Sequence, residues 1–188
     1  MVMRRTIVVV LALVFLGGLV PGVTEANKVF PKKDVFEEKK WDGVYKEFDR
    51  NGILLKASCF KNGQLLWIKV YYVTGQLREE GQFKYGGQDG ITRVYDKNGN
   101  LRAEWHYRND KLEGTSKGYF PNGNVMAEWH HKNDRLEGIS KGYHENGEIR
   151  YVDYYRNDQK VSRRTFDRNG SLELELNYPY VGFDAQLQ

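Results

Sequence analysis

GITRVYDKNGNLRAEWHYRNDKLEG, residues 90–114, runs directly into GTSKGYFPNGNVMAEWHHKNDRLEG, residues 114–138, and the two stretches agree at most positions. Each contains an Asn-Gly dipeptide, a turn signal that returns every 23 or 24 residues, at Asn51-Gly52, Thr74-Gly75 (the one variant), Asn98-Gly99, Asn122-Gly123, Asn146-Gly147 and Asn169-Gly170. Asn and Gly both tolerate the positive φ of a type I′ turn, so the period predicts one tight two-residue hairpin per repeat. Such arrays generally bind rather than catalyse.

A second turn signal lies roughly midway between successive Asn-Gly signals, at Asn62-Gly63, Tyr85-Gly86, Asn109-Asp110, Asn133-Asp134 and Asn157-Asp158. Two turns per repeat leave two strands of about eight to ten residues. The sequence therefore predicts an all-β fold: an elongated, twisted antiparallel meander of tandem β-hairpin repeats. Six repeats of about 24 residues cover residues 43–178 and supply roughly eleven or twelve strands.

A two-residue turn fixes which residues face each other across a hairpin. Counting outward from the first set of turns places opposite charges face to face in four of the six hairpins, as Lys69 and Glu80, Arg93 and Glu104, Lys117 and Glu128, Arg164 and Glu175. In the other two hairpins Lys46 meets Ala57 and Lys141 meets Val152. Facing ion pairs stabilise a sheet, which supports the predicted register.

The same count divides the side chains between two faces. An apolar face is expected to carry the ladder Leu54, Leu77, Leu101, Val125, Ile149 and Leu172. It also sets Trp105 against Gly114 and Trp129 against Gly138, where a missing side chain makes room for an indole. The charged face carries an aromatic ladder two residues after each cation: Phe48, Tyr71, Tyr95, Tyr119, Tyr143 and Phe166.

Interleaved aromatic and cationic side chains are candidates for binding a sugar polymer, an anionic lipid or a protein surface. On this reasoning the binding residues are Tyr95, Tyr119, Tyr143, Arg93, Lys117 and Lys141. The commoner role of such tyrosines is structural, because they cover lysine stems and glutamates on a half-exposed sheet.

Histidine and glutamate face each other across the second turns, as His106 with Glu113 and His130 with Glu137. Equivalent strands of successive repeats lie about 9 to 10 Å apart, too far for ligands that must converge on one zinc ion, so side-chain pairing is expected rather than a metal site. No nucleophile motif, phosphate loop or isolated carboxylate pair accompanies the repeats. We therefore expect no catalytic residues, no metal and no cofactor.

The first 26 residues read as a secretory signal peptide: Arg4 and Arg5, an apolar run from residue 7 to 20, and small residues before a cleavage point after Ala26. Residues 27–42 are expected to be an N-terminal cap or linker, and residues 179–188 a C-terminal tail. The cleaved protein is expected to be exported, periplasmic or extracellular, and not integral to a membrane. It keeps 27 Lys and Arg against 24 Asp and Glu, a weak positive charge that argues against nucleic acid as a partner.

The units of residues 90–114 and 114–138 resemble the MORN-repeat variant, with its Gly, Tyr, Asn-Gly, Leu, Glu, Tyr and Gly at fixed spacings. Asp110, Asp134 and Asp158 depart from it, since they stand where that family often has glycine. The resemblance implies a β-sheet repeat protein, and YwqK-type members are antitoxins of bacterial toxin–antitoxin systems while others are scaffolds or associate with lipids. The expected function is an exported, non-enzymatic protein-interaction or scaffold module, antitoxin- or immunity-like. The alternative is a cell-envelope module that recognises glycan or anionic lipid.

Overall fold

The structure is a computed structural model that describes residues 42–180. The predicted signal peptide, nearly all of the predicted N-terminal cap and most of the predicted C-terminal tail lie outside the described residues. Within residues 42–180 every regular element is a β-strand, which confirms the predicted all-β class. That part of the chain contains no helix long and apolar enough to cross a membrane.

Twelve strands of six or eight residues form the sheet. They are β1 (Gly43–Phe48), β2 (Leu54–Lys61), β3 (Gln64–Tyr71), β4 (Leu77–Lys84), β6 (Gly90–Tyr95), β7 (Leu101–Arg108), β9 (Gly114–Tyr119), β10 (Val125–Lys132), β12 (Gly138–Tyr143), β13 (Ile149–Arg156), β14 (Gln159–Phe166) and β15 (Leu172–Asn177). Three two-residue strands, β5 (Gly87–Gln88), β8 (Lys111–Leu112) and β11 (Arg135–Leu136), pair beside β4, β7 and β10.

The strand order in the sheet follows the chain order, and every pair is antiparallel. Each strand therefore pairs with its neighbours in sequence, as the two turn signals per repeat require. The predicted meander of eleven or twelve strands is confirmed.

The Asn-Gly turns, however, are not the type I′ turns that were predicted. In the hairpin around Asn98-Gly99 only Gly99 has positive φ (85°), and its N–H donates to the carbonyl of Asp96 over 3.0 Å. This is a type I turn followed by a left-handed glycine, closed by the bond from Asp96 N–H to the carbonyl of Asn100. The Asp96 carboxylate accepts the N–H groups of Asn98 and Asn100, which explains why this geometry is preferred.

The type I′ turns are the second set. Both central residues have positive φ there, 49° and 66° at Asn109-Asp110 and 51° and 69° at Asn133-Asp134, for example. Asn and Asp adopt this conformation more readily than other residues with a side chain.

The predicted register is nevertheless right at the charged positions. The longer Asn-Gly loop shifts the pairing by one residue, and a one-residue bulge next to the loop shifts it back, so that Arg93 faces Glu104 and Lys117 faces Glu128. The residues between the loop and the bulge keep the shifted register, in which Tyr95 pairs with Leu101. The leucine ladder therefore lies level with the aromatic ladder rather than on the opposite face, which corrects the prediction.

The buried residues are mostly small. Ser58, Thr92, Ser116 and Ser140 are buried along the middle of one face, together with Ala127 and Ile68. Among the described residues no second layer covers the sheet, so most of the side chains that lose contact with solvent are short ones that lie beneath their neighbours. Most large apolar residues remain half-exposed or exposed, and Ile68 and Phe83 are buried exceptions.

Candidate functional site

One row of side chains crosses the whole sheet on a single face, which we name the charged face. The row takes one residue from each long strand: Lys46, Ala57, Lys69, Glu80, Arg93, Glu104, Lys117, Glu128, Lys141, Val152, Arg164 and Glu175. We call it the charge row. Cations and carboxylates alternate along most of it, so neighbouring strands attract each other.

The four predicted ion pairs are all present in the charge row. The nitrogen–oxygen distances are 3.4 Å for Lys69 and Glu80, 2.9 Å for Arg93 and Glu104, 3.1 Å for Lys117 and Glu128, and 3.1 Å for Arg164 and Glu175. Arg93 also lies 3.8 Å from Glu80. Interior carboxylates of the row are thus flanked by cations on both sides.

The three candidate tyrosines are tied into the charge row. The hydroxyl of Tyr119 donates to Glu104 (2.7 Å), that of Tyr143 donates to Glu128 (2.8 Å), and that of Tyr95 donates to Glu80 (3.0 Å). Each bond joins two strands that are neighbours in the sheet and connects one repeat to the repeat before it. The tyrosine rings therefore hold the row together and also present a face to solvent.

These contacts perturb the acid–base properties of both partners. Burial, reinforced by the hydrogen bond to Glu104, raises the pKa of Tyr119 to about 12, and the same two causes raise the pKa of Tyr143 to about 12. The hydrogen bond from Tyr119 lowers the pKa of Glu104 against the opposing effect of burial. Burial raises the pKa of Glu128, but hydrogen bonds from Tyr143 and Lys117 outweigh it and lower the value. Glutamate is the charged partner and tyrosine the neutral donor in each pair.

Lys141 is the cation of the candidate set whose partner across its own hairpin, Val152, is not a carboxylate. It lies between Glu128 and Val152 in the charge row. In the repeat after the one that supplies Val152, the aromatic position that follows the cation is Phe166, which has no hydroxyl to donate. The missing carboxylate and the missing hydroxyl coincide here, whereas Tyr71 keeps its hydroxyl although Ala57 takes the place of its acceptor.

The expected pairing of histidine with glutamate is wrong for the side chains. Glu113 does donate its backbone N–H to the carbonyl of His106 (2.9 Å), so the two residues are neighbours. The Glu113 carboxylate, however, accepts the backbone N–H of Asn133 (2.9 Å). His130 instead has its Nδ1 beside the hydroxyl of Thr115, at 3.2 Å. The glutamates are used to fasten the next turn.

The three Asp residues that depart from the glycine of the family join consecutive repeats. Asp134 donates its backbone N–H to the carbonyl of Leu112 (3.0 Å), and its Oδ1 accepts the N–H of Leu112 (2.7 Å). The same two bonds join Asp110 to Gln88 and Asp158 to Leu136. We call these paired bonds the turn ties. They were not predicted, and the only sequence signal for them is that Asp replaces glycine three times in succession.

The opposite face, which we name the tryptophan face, carries Trp105 and Trp129 stacked with ring centroids 5.8 Å apart and planes 13° from parallel. Ser116, which pairs with Trp129 in the register, is fully buried. A Cβ added to Gly118 would lie 3.0 Å from the Trp129 ring. The indole thus packs over Gly118, whereas Gly114 has open space, so the predicted contacts of Trp105 with Gly114 and Trp129 with Gly138 are wrong.

Asp153 stands where the two preceding repeats have tryptophan, and it is almost fully buried. Arg163 donates to both of its carboxylate oxygens, at 2.6 and 2.7 Å, and Lys160 donates over 2.9 Å. Burial raises the pKa of Asp153, but these hydrogen bonds outweigh it and lower the value. Sequence reasoning missed this cluster, although the change from Trp to Asp at a repeat position marks it.

Within residues 42–180, no three His, Cys, Asp or Glu side chains are grouped so as to hold a metal ion. Cys59, the only cysteine of the chain, is free and half-buried.

The geometry defines a class of protein: a tandem β-hairpin repeat protein whose repeats form one sheet and differ mainly in how they are joined. The chain belongs, more particularly, among the proteins of the MORN repeat variant, whose family model matches residues 41–62, 88–109, 112–133 and 136–157. The family resemblance of the sequence is thereby confirmed. MORN repeats generally serve as protein- or membrane-binding modules.

No curated protein sequence matches the chain significantly. Among solved structures, the chain is similar to S. aureus TarM as a point mutant in complex with fondaparinux, α-GlcNAc-glycerol and UDP, with 12% identity, a TM-score of 0.36 and coverage of 47% of this chain and 18% of that one. A second structure of TarM gives 13% identity, a TM-score of 0.34 and coverage of 47% and 19%. The chain spans less than a fifth of either TarM chain, and both TM-scores are too low to indicate a shared fold.

Proposed function

We propose that this chain is an exported, non-enzymatic protein-interaction or scaffold module with an antitoxin- or immunity-like role. The observation that carries the proposal is an exposed patch on the charged face near the end of the array. Ile139 and Tyr154 face each other there, 55% and 36% exposed, next to the facing pair of Lys141 and Val152. Aliphatic and aromatic side chains beside a cation whose hairpin partner is apolar suit a protein surface.

The charge row supports the non-enzymatic part of the proposal. The carboxylates and tyrosines recur at equivalent positions and are hydrogen-bonded to each other, as residues with a structural role are. Asp153 has the most buried carboxylate of the described residues, and this carboxylate already accepts bonds from Arg163 and Lys160. An acid or base for catalysis needs a proton-transfer partner outside its own structural contacts.

Site-specific cross-linking tests the patch directly. A photo-reactive residue at Ile139 in the producing cell is expected to give one discrete adduct with a protein of the same compartment. The matched control is Arg150, which is also exposed and lies at the strand end that follows the same turn. Identical adducts from both positions, or none from Ile139, would count against the patch.

The antitoxin-like part has its own test. If the neighbouring reading frame encodes a toxin, expressing that frame should arrest growth, and co-expression of this chain should restore it. Replacing Ile139 and Tyr154 together by Ser should abolish the rescue without lowering the amount of folded chain. A neighbouring frame without toxicity removes the immunity role and leaves the scaffold role.

A second candidate function is recognition of cell-wall glycan or anionic lipid. Lys141 favours it, because this cation has valine rather than a carboxylate across its own hairpin and lies two residues from Tyr143. The same face carries the other candidates, Tyr95, Tyr119, Arg93 and Lys117. The chain should then sediment with purified cell wall or with anionic vesicles. Replacement of Tyr95, Tyr119 and Tyr143 together by Ala should remove most of the binding, and unchanged binding would rule out the tyrosines.

A further inference from the structure

A groove of about 810 Å³ lies over the charged face at the beginning of the array. Its lining includes Ala57, the four cations Lys46, Lys69, Lys84 and Arg93, and the two carboxylates Glu80 and Asp89, of which Glu80 belongs to the charge row. A volume of this size is within the usual range for sites that hold small organic ligands.

The charge row is incomplete where the groove is. Ala57 takes the position that a glutamate takes in the following repeats, and it lies in register between Lys46 and Lys69. Lys46 has no ion pair within residues 42–180, and Lys69 has one, with Glu80 on its other side. The site therefore has the two flanking cations of an interior position of the row without the carboxylate between them.

The walls beside this gap are apolar. Val44, Leu54, Leu66 and Trp67 line the groove, and Leu66 is 38% exposed. The ammonium group of Lys69 lies 5.7 Å from the centre of the Trp67 ring. A ligand that reached between the two lysines would lay its remaining atoms against these side chains.

We propose that this groove binds a small organic carboxylate with an apolar body. The carboxylate takes the place of the absent glutamate and accepts hydrogen bonds from Lys46 and Lys69, and the apolar part packs against Trp67, Leu54 and Leu66. Charge-assisted bonds of this kind are roughly twice as strong as hydrogen bonds between neutral groups. The small side chain of Ala57 leaves the space that the carboxylate needs.

The chain contains a matched control for the proposal. Val152 is the other position of the row without a carboxylate, and it too lies between two cations, Lys141 and Arg164. Its side chain is larger than that of Ala57, and neither Val152 nor Lys141 belongs to the lining of the groove. The charge pattern is the same at both places, while the groove and its apolar walls belong to the first.

Calorimetric titration of the full chain with naphthalene-2-acetate tests the proposal, with the neutral alcohol 2-(naphthalen-2-yl)ethanol as the reference probe. The acetate is expected to bind with one site per chain and about tenfold more tightly than the alcohol. Lys46→Gln should weaken binding of the acetate by about tenfold, and Lys141→Gln should change it less than twofold. Ala57→Glu should abolish binding, because the new carboxylate occupies the site, and Val152→Glu should leave binding intact.

The two carboxylate variants keep the test interpretable. Ala57→Glu restores the alternating row and is expected to unfold at the same or a higher temperature than the parent, so lost binding cannot be ascribed to misfolding. Equal effects of Lys46→Gln and Lys141→Gln, equal affinities for acetate and alcohol, or no binding to the full chain would each overturn the proposal.

Discussion

The first part of the sheet, residues 43–88, and the central part, residues 90–158, are built from the same repeat but joined differently. In the central part each type I′ turn is fastened to the preceding repeat by a turn tie, as at Asp134. The turn at Tyr85-Gly86 belongs to the first part, and there the Asp is replaced by Gly86, which has no carboxylate to accept a bond. Tyr85 is 79% exposed.

The charge row also has a contact between repeats in the central part that is missing in the first part. Tyr119 donates to Glu104 in the central part, whereas Ala57 in the first part offers no acceptor to the equivalent Tyr71. Contacts between repeats thus stabilise the central part. The first part lacks some of these contacts at the place where the groove lies. A departure from the repeat can therefore be assigned to binding only when the contacts that join neighbouring repeats are known.

The largest expected effect comes from removing the turn ties of the central part. Replacement of Asp110, Asp134 and Asp158 together by Gly deletes three carboxylate acceptors and is expected to lower the free energy of unfolding by about 1–3 kcal/mol. Glycine relieves the positive φ at these positions, so backbone conformation alone predicts the opposite sign. Urea unfolding followed by tryptophan fluorescence measures the difference.

The matched control is the triple replacement of the same residues by Asn. Asn keeps a side-chain oxygen as acceptor and tolerates the left-handed conformation, so its stability should stay close to that of the parent. A glycine variant more stable than the parent would show that the turn ties contribute nothing and would remove the distinction between the two parts.

A smaller effect is expected for the tyrosine hydroxyls. Tyr119→Phe removes the donor to Glu104 while leaving the ring in place, and should cost about 1 kcal/mol of unfolding free energy. Tyr71→Phe is the matched change in the first part, where Ala57 holds the position equivalent to the acceptor Glu104, and it should leave stability unchanged. Equal losses from the two variants in thermal unfolding would contradict the assigned role of the bond.

The raised tyrosine pKa values predict a decline of stability in alkali. The folded state holds the protons of Tyr119 and Tyr143 up to a pKa of about 12, whereas an unfolded tyrosine loses its proton near pH 10. The unfolded state therefore binds fewer protons between these values, and the stability present below pH 10 is lost as the pH rises through 12. Solvent screening reduces the size of the effect at these half-exposed positions.

Unfolding free energies measured from pH 9 to pH 12 should fall less steeply in the double variant with Phe at Tyr119 and Tyr143 than in the parent. Parallel curves for the two proteins would mean that other groups cause the alkaline decline.

The period of the turn signals was sufficient to predict the strands, their order and the four ion pairs of the charge row. Turn type was not predictable from Asn-Gly alone, because the dipeptide serves two kinds of loop. Where Asp stands two residues earlier, as at Asp96, its bonds to Asn98 and Asn100 stabilise the longer loop, but Phe120 and His144 hold the same position in loops with the same closing bonds. The wrong turn type led to the wrong face for the leucine ladder. It did not affect the predicted ion pairs, because a bulge restores the register before Arg93 and Glu104.

Contacts between repeats were the part that sequence reasoning missed. The turn ties join residues 22 positions apart, and the carboxylate of Glu113 reaches the backbone of Asn133. A count outward from one turn describes only the facing strand, so it paired Glu113 with His106. The candidate residues Tyr95, Tyr119 and Tyr143 were placed on the right face, but each donates to a carboxylate on the neighbouring strand of the preceding repeat, outside its own hairpin.

The smallest expected effect comes from two substitutions that make the outer repeats resemble the central ones. Val152→Glu places a carboxylate between Lys141 and Arg164, and Phe166→Tyr supplies the hydroxyl that such a carboxylate accepts in the central repeats. Exposed pairs of this kind contribute about 0.2–1 kcal/mol, so the double variant should be slightly more stable than the parent. Phe166→Tyr alone should be neutral, because its hydroxyl lacks the acceptor. A double-mutant cycle by urea unfolding isolates the coupling energy between the two positions. A coupling energy of zero would mean that the missing carboxylate at Val152 and the missing hydroxyl at Phe166 are unrelated.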